Sequence, residues 1–163
     1  MTHADATGAD VMPTPLTASI APAASNCELC DSDGGLPIAR MQQFRVIRVA
    51  DRDYPGFYRV IWNAHVAEFS DLSADERRAC MDAVAVVEQL MRQHLRPTKV
   101  NLASLGNMVP HLHWHVIARF ETDRHFPQPV WATASRPAGG EPATAQLALQ
   151  ALDKAIAAAL LTS

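Results

Sequence analysis

Apolar positions alternate with polar ones along short segments in the middle of the chain, and this spacing of two is typical of β-strands. Residues 44–49 (FRVIRV) and 57–62 (FYRVIW) are rich in β-branched and aromatic side chains. The segment between them, ADRDYPG, contains the Asp, Pro and Gly of a turn, so the two segments predict an antiparallel hairpin. Residues 99–105 (KVNLASL) and 111–119 (HLHWHVIAR) predict two further strands with a turn between them.

Two other segments repeat their apolar residues at the period of a helix. In the first, Ser73 stands three residues before Glu76, which is the spacing of a capping box, and the apolar stripe that follows comprises Cys80, Val84, Val87 and Met91. Pro97 should end this helix. The second segment is Ala- and Leu-rich and spans residues 143–161. We therefore predict an α+β fold in which a long amphipathic helix and a C-terminal helix pack against an antiparallel sheet.

The first 25 residues show no apolar periodicity and are rich in Ala, Thr and Pro. They also lack the basic start and the apolar run of a secretory signal. We expect a flexible tail over residues 1–25 and a single domain over residues 26–163. No segment approaches the roughly 18 to 20 consecutive apolar residues of a membrane span, and three cysteines do not indicate a disulfide scaffold. The resulting expectation is a cytoplasmic protein that has no membrane partner.

The distribution of charge argues against nucleic acid as a partner. The formal net charge is −3, and the first 39 residues contain no Lys or Arg. Beyond them, basic and acidic residues are interspersed, and no block of basic residues forms the footprint of a nucleic-acid-binding surface. A small anion held by a few specific groups is compatible with this balance.

Three of the seven histidines, His111, His113 and His115, occupy alternate positions within five residues. Successive side chains of a strand point to opposite faces, so this spacing gathers three imidazoles on one face and leaves the apolar residues between them for the other. Three unrelated surface histidines are the simpler alternative. Strict alternation among large apolar residues favours a chemical site.

A shared metal ion is one use of three histidines, but the geometry of a strand disfavours it. The Cα atoms of His111 and His115 would lie about 13 Å apart at ~3.3 Å per residue, whereas zinc requires each ligating nitrogen within ~2.1 Å. Nucleophilic catalysis fits better, because an imidazole with a reference pKa of ~6.5 is mostly neutral near neutral pH and can attack phosphorus covalently. His113 has a histidine on each side to orient it or to stabilise developing charge. We predict His113 as the nucleophile.

A second candidate cluster begins with Cys27 and Cys30 in the sequence CELC. An isolated Cys-x-x-Cys is compatible with a redox pair, with half of a zinc site or with coincidence. The following residues, CDSDGG, do not resemble the helix that a thioredoxin-type motif leads into. A closed zinc site needs two more ligands, and His65 and His111 are the candidates.

The sequence resembles the histidine triad (HIT) superfamily. HLHWHVI matches its signature His-φ-His-φ-His-φ-φ, where φ is apolar, and CELC, YPGFYRVIWNAHV, DLSADE, NLASLGNMVPHLHWHVIARF and FPQPVW are similar to HIT segments in the same order. The resemblance covers roughly residues 27–131. It implies a HIT-like fold and a homodimer without an organic cofactor. It also implies a nucleotide hydrolase or nucleotidyl transferase that cleaves a nucleoside phosphoramidate or a dinucleoside polyphosphate.

The resemblance further implies roles for individual residues. His113 matches the nucleophile that becomes nucleotidylated, His115 matches the partner histidine that contacts the phosphate, and His111 is the first histidine of the triad. The positions that match substrate-binding residues of relatives are Asn107, Asn101 and Trp131.

Some bacterial HIT proteins bind one zinc ion through an amino-terminal Cys-x-x-Cys, a histidine after the early hairpin and the first triad histidine. The matching residues here are Cys27, Cys30, His65 and His111. The resemblance thus implies a structural Cys2His2 zinc site, which would fix the ring of His111 and so influence His113. The alternative is that the cysteines and His65 are ordinary surface or core residues.

One position departs from the family pattern. Many HIT enzymes carry a further histidine just after the turn of the early hairpin, and Phe57 stands there in this chain. A phenyl ring offers none of the hydrogen bonds of imidazole. Two functions are therefore kept open: a HIT-type hydrolase or transferase, and a zinc-stabilised nucleotide-binding protein with little or no turnover.

Overall fold

The predicted hairpin lies at the centre of a five-stranded antiparallel sheet, in a computed structural model that describes residues 26–137 and 143–162. The strands are β1 (Leu36–Arg40), β2 (Phe44–Arg48), β3 (Phe57–Trp62), β4 (Lys99–Ala103) and β5 (His113–Arg119), and the α-helices are α1 (Glu28–Asp31), α2 (Ala74–Leu95) and α3 (Ala143–Leu161). Across the sheet the order is β1-β2-β3-β5-β4. This confirms the α+β class. The tail predicted for residues 1–25 lies outside the described residues.

Two short elements have no counterpart in the prediction. Strand β1 is an edge strand that contains Pro37, and Ala39 is its only buried residue, so no alternating pattern marks it. Helix α1 is a single turn that begins within the Cys-x-x-Cys motif and ends at Asp31. One turn is too short for helical periodicity to show in the sequence.

Helix α2 begins and ends as its sequence predicts. The Ser73 hydroxyl accepts a hydrogen bond from the Glu76 backbone N–H, and the Glu76 carboxylate accepts one from the Ser73 backbone N–H, which completes the capping box. The helix stops at Arg96, whose left-handed backbone (φ 50°) directly precedes Pro97. All four residues of the predicted apolar stripe are buried: Cys80, Val84, Val87 and Met91.

The sheet presents two chemically different faces. One face packs against α2 and α3 and supplies the main core, through residues such as Tyr58, Val60 and Val116. The Tyr58 hydroxyl also donates a hydrogen bond to Asp153 of α3 at 2.7 Å. The opposite face, which we call the histidine face, is formed at its centre by Phe57, Arg59 and Ile61 of β3 and by His113 and His115 of β5. In the antiparallel register, Arg59 is paired with His115 and Ile61 with His113.

Strand β5 starts two residues later than the sequence pattern predicts. The backbone N–H groups of His111 and Leu112 donate to the carbonyls of Val109 and Val66, which lie outside the strands of the sheet. His111 is therefore placed by the segment that leads into β5 and not by the strand itself. This separates the first histidine of the triad from the other two.

No helix within residues 26–137 and 143–162 has both the length and the apolar character that crossing a membrane requires.

The position of the main core predicts that truncation of two methionines to Ala will change the free energy of unfolding by different amounts. Met91 of α2 is fully buried in the core, whereas Met108 is 93% exposed. Met91→Ala should lower the free energy of unfolding by about 2 to 5 kcal/mol, because it removes buried methylene groups and leaves a cavity. Met108→Ala, the matched control, should change it by less than about 0.5 kcal/mol. Urea titrations followed by circular dichroism measure both, and equal effects of the two substitutions would contradict the position of α2 in the core.

Candidate functional site

Four potential metal ligands converge at one end of the histidine face: Cys27, Cys30, His65 and His111. One donor atom from each lies within 4.8 Å of the others. The Sγ atoms of Cys27 and Cys30 are 3.4 and 3.5 Å from His111 Nδ1, and Cys30 Sγ is 3.3 Å from His65 Nδ1. Tetrahedral ligands of zinc lie ~3.3–3.8 Å apart, given bond lengths of ~2.0–2.3 Å. The four residues predicted from the sequence are thus brought together at spacings that fit a metal ion.

The ring of His111 is fixed by the backbone of β3. It is fully buried, and its Nε2–H donates to the carbonyl of Trp62 at 2.6 Å. This bond selects the tautomer that leaves the Nδ1 lone pair facing the sulfurs, as a metal ligand requires. Burial lowers the pKa of His111, so the neutral form that can bind a metal is favoured.

Arg45 of β2 anchors the Cys-x-x-Cys segment to the sheet, and sequence reasoning missed it. Its guanidinium is buried and donates to the backbone carbonyls of Leu29, Ser32 and Asp33 at 2.6, 3.2 and 3.3 Å. These carbonyls lie in α1 and just after it, where helix carbonyls lack partners of their own. A basic residue within a strand that is otherwise buried was the signal that could have identified it.

His113 is buried beside this cluster with one ring nitrogen engaged. Its Nδ1–H donates to the backbone carbonyl of His111 at 2.6 Å. In the neutral ring the lone pair is then on Nε2, the atom that can act as a nucleophile or a base. Burial lowers the pKa of His113, the bond to the His111 carbonyl opposes that change, and the charge of Arg59 adds to it.

His115 is buried without a hydrogen-bond partner. Both of its ring nitrogens are shielded and unpaired among the described residues. Its ring instead contacts three other rings: those of His113 (centroids 4.8 Å apart), Phe57 (5.2 Å) and Trp131 (5.4 Å). Burial is the main reason that its pKa falls to about 3, with smaller effects from His113 and Arg59. Unpaired buried nitrogens are costly unless a bound molecule completes them.

Phe57 and Trp131 form the walls around His115. Phe57 is buried, whereas Trp131 is 54% exposed and contacts His115 from the segment after β5. A bound group could therefore reach the two histidines past the indole ring. The position at which many HIT enzymes carry a histidine is filled here by a ring in direct contact with His115.

The two candidate asparagines occupy different environments. The register of β4 with β5 places Asn101 on the histidine face, and its Oδ1 accepts a hydrogen bond from Arg119 Nη1 at 2.7 Å. Arg119 is held by Asp123 and by the carbonyl of Gln128, so the Asn101 amide is fixed with its NH2 group available to donate elsewhere. Asn107 is exposed in the loop before β5, and its side chain forms no hydrogen bond with any of the described residues.

Arg59 completes the histidine face, and sequence reasoning missed this residue as well. It is half-buried, and its guanidinium lies 5.6 Å from the centre of the Phe57 ring. It forms no hydrogen bond or ion pair with any residue in the described ranges, and its Nε is shielded from solvent. Its position two residues before Ile61, on the side of β3 opposite the apolar Tyr58 and Val60, was the available signal.

Comparison with protein families gives one match: the family model described as the HIT domain aligns with residues 38–122. A comparison with curated proteins finds no match.

Solved structures similar to this chain include several histidine triad proteins. One from Bradyrhizobium japonicum is 28% identical, with a TM-score of 0.67 over 83% of this chain and 99% of that one. One from Sinorhizobium meliloti is 26% identical, with a TM-score of 0.61 over 74% of this chain and 88% of that one. A Zn-bound histidine triad family protein from Mycobacterium smegmatis is 16% identical, with a TM-score of 0.53 over 79% of this chain and 88% of that one, and that likeness concerns the fold alone.

The buried state of His115 predicts how stability depends on pH. An unfolded histidine binds its proton near pH 6.5, whereas folded His115 does so only near pH 3. Lowering the pH between these values therefore favours the unfolded state, by up to about 1.4 kcal/mol per pH unit. His115→Phe should remove this part of the loss, so its free energy of unfolding should fall less steeply between about pH 7 and about pH 4.5.

Urea titrations at several pH values measure this slope. His94→Phe, at an exposed position near the end of α2, is the control and should retain the slope of the wild type. Parallel profiles for wild type and His115→Phe would show that folding does not lower the pKa of His115.

Proposed function

The chain belongs to the HIT domain family, and from this we propose that it is a nucleotide hydrolase or nucleotidyl transferase that acts through a covalent nucleotidyl-histidine intermediate. The observation that carries the proposal is the hydrogen bond from His113 Nδ1 to the carbonyl of His111. It keeps the proton on Nδ1 and leaves the Nε2 lone pair for attack, without a separate base.

The proposed first step is attack by His113 Nε2 on the α-phosphorus of a bound nucleotide. The new N–P bond forms as the bond between phosphorus and the leaving group breaks, and the bonding electron pair departs with the leaving group. In the second step a water oxygen attacks the same phosphorus, the N–P electron pair returns to Nε2, and the water loses one proton to the solvent. The products are a nucleoside monophosphate and free His113. Division of one difficult displacement into two easier ones is the advantage of covalent catalysis.

Neighbouring residues would bind the phosphate and the nucleoside. The unpaired nitrogens of His115 support a role in contacting the phosphoryl oxygens. The NH2 group of Asn101, left available by the bond from Arg119 to its Oδ1, supports a second contact. The exposed indole of Trp131 offers an apolar surface beside His115. We assign Asn107 to substrate binding on the family resemblance alone.

We also propose that Cys27, Cys30, His65 and His111 hold a structural zinc ion. Two thiolates and two imidazoles are a preferred donor set for zinc, and four protein ligands leave no open position for substrate. The spacings of the four donor atoms and the bond from His111 to Trp62 support this site, and one structurally similar protein is described as Zn-bound. When bound, the ion would hold the amino-terminal segment against the loop that leads into β5. Its effect on His113 would pass through the backbone of His111.

A second candidate function is nucleotide binding with little or no turnover. The observation that favours it is the contact of the Phe57 ring with His115, where relatives place an imidazole. A homodimer and a cytoplasmic location stay predictions from the sequence.

Loss of the nucleophile predicts loss of turnover. His113→Ala should reduce release of nucleoside monophosphate from diadenosine tetraphosphate and from adenosine 5'-phosphoramidate by at least about a thousandfold, because it removes the nitrogen that attacks phosphorus. The measurement is product formation by liquid chromatography under saturating substrate. His94→Ala, on the other side of the sheet, is the control and should retain wild-type rates.

Mass spectrometry of acid-quenched wild type should show one added nucleotidyl group, which His113→Ala should lack. Turnover that survives in His113→Ala would refute the assignment of the nucleophile. A wild-type protein that binds nucleoside monophosphate and cleaves neither substrate would establish the binding-protein alternative.

The metal site predicts a defined stoichiometry. Purified wild type should contain about one zinc per chain, and Cys30→Ser should lose it together with thermal stability, because a bound ion stabilises only the folded state. Cys80→Ala is the matched control, since Cys80 lies in the helix core away from the cluster, and it should keep its zinc. Elemental analysis and thermal denaturation measure both effects. A zinc content that is unchanged in Cys30→Ser would rule out the site.

A further inference from the structure

The guanidinium of Arg59, at the centre of the histidine face, forms no hydrogen bond or ion pair with any of the described residues. Its register with His115 places the two side chains directly opposite each other on adjacent strands, where Cβ atoms lie ~4.5–5.5 Å apart. His115, 5% exposed, presents two unpaired ring nitrogens at the same place. Both side chains also lie against the Phe57 ring, with the Arg59 guanidinium carbon 5.6 Å and the His115 ring centre 5.2 Å from its centre. A guanidinium and an imidazole that form no hydrogen bond within the described chain therefore flank the same ring.

The guanidinium groups of two other arginines on this face are hydrogen-bonded to several acceptors. Arg45 donates to three backbone carbonyls, and Arg119 donates to a carboxylate, an amide oxygen and a carbonyl. Arg59 has no such acceptor within the described chain. Its guanidinium lies against the Phe57 ring, and the carboxylate of Glu28 acts on it electrostatically without forming an ion pair. Within the described chain, no anionic group is therefore hydrogen-bonded to the Arg59 guanidinium.

We propose that Arg59 binds the phosphate group that leaves the attacked phosphorus, and that it thereby makes the chain selective for phosphoanhydride-linked nucleotides over nucleoside phosphoramidates. The inference rests on the proposed function and narrows the two substrate classes to one. Planar guanidinium groups bind phosphate oxygens in pairs, which suits a polyphosphate leaving group.

The two substrate classes make different demands on the site. When His113 Nε2 attacks a phosphoanhydride, the P–O bond breaks and its electron pair stays on the bridging oxygen, which becomes a terminal phosphate oxygen with increased negative charge. A fixed cation stabilises that charge and no proton is required. When a P–N bond breaks, the leaving nitrogen must instead receive a proton to depart as an amine.

Arg59 and the groups around it provide the cation that a phosphoanhydride requires. They do not provide the proton donor that a phosphoramidate requires. The N–H of His113 is already donated to the His111 carbonyl. His115 forms no hydrogen bond within the described chain and is paired with Arg59 in the strand register, so no acceptor among the described residues favours a protonated His115. The described residues thus supply a positive charge for an anionic leaving group and no positioned proton donor for an amine.

The test compares kcat/KM for diadenosine tetraphosphate and adenosine 5'-phosphoramidate in wild type, Arg59→Gln and Arg59→Lys. Arg59→Gln should lower kcat/KM for diadenosine tetraphosphate by about 30-fold and for the phosphoramidate by less than about threefold. Arg59→Lys, which keeps the charge without the planar fork, should give an intermediate loss. Arg92→Gln, an exposed residue of α2 on the other face of the sheet, is the matched control and should equal wild type. Equal losses on both substrates, or none, would overturn the proposal.

A binding measurement separates this inference from the proposed activity. In a His113→Ala background, where no intermediate forms, calorimetry should show that Arg59→Gln weakens ATP binding about tenfold more than AMP binding. If the wild type cleaves neither substrate but this difference is present, the proposed activity fails and the phosphate site of Arg59 stands. If ATP does not bind, or binds equally with and without Arg59, the phosphate site is refuted whatever the activity. Circular dichroism of each variant confirms that it is folded.

Discussion

Three groups of His111 connect the metal cluster, strand β3 and His113. Its Nδ1 faces the sulfurs of Cys27 and Cys30, its Nε2–H is held by the carbonyl of Trp62, and its own carbonyl accepts the proton of His113 Nδ1. A displacement of this one residue would alter the metal cluster, its attachment to β3 and the tautomer of His113 together. The late start of β5 makes this possible, because His111 is free of the strand and can turn toward the cysteines.

Two features of the histidine face lower the pKa values of its histidines: burial of the ring nitrogens and the nearby positive charge of Arg59. Desolvation keeps His113 and His115 neutral, and the positive charge of Arg59 acts in the same direction on both. Neutral imidazoles are what nucleophilic attack requires, so the feature that costs stability in acid also prepares the site for chemistry. On the opposite face of the sheet stability and chemistry do not compete in this way, because Val60, Val116 and the apolar stripe of α2 form an ordinary core there.

Sequence patterns were informative wherever an element is long or its two sides differ. The hairpin, α2 with its capping box, and α3 follow from periodicity, and family motifs brought together the cysteines and histidines of the metal cluster. Strand β1 and helix α1 were missed because their form depends on partners: β1 on pairing with β2, and α1 on the carbonyl contacts of Arg45. Arg59 and Arg45 were overlooked because the role of a basic residue in a strand depends on which acceptors surround it in the fold. The sequence alone does not show those acceptors.

The donor atoms of the metal cluster are far apart along the chain, and this has a consequence for how the protein folds. Cys27 and His111 are separated by 84 residues, and the segment between them contains the hairpin, α2 and β4. Closing so long a loop is entropically expensive and is repaid only when the intervening elements have already formed. A chain emerging from the ribosome cannot complete the cluster before β5 is approached, so the geometry of His113 is set among the last contacts of folding.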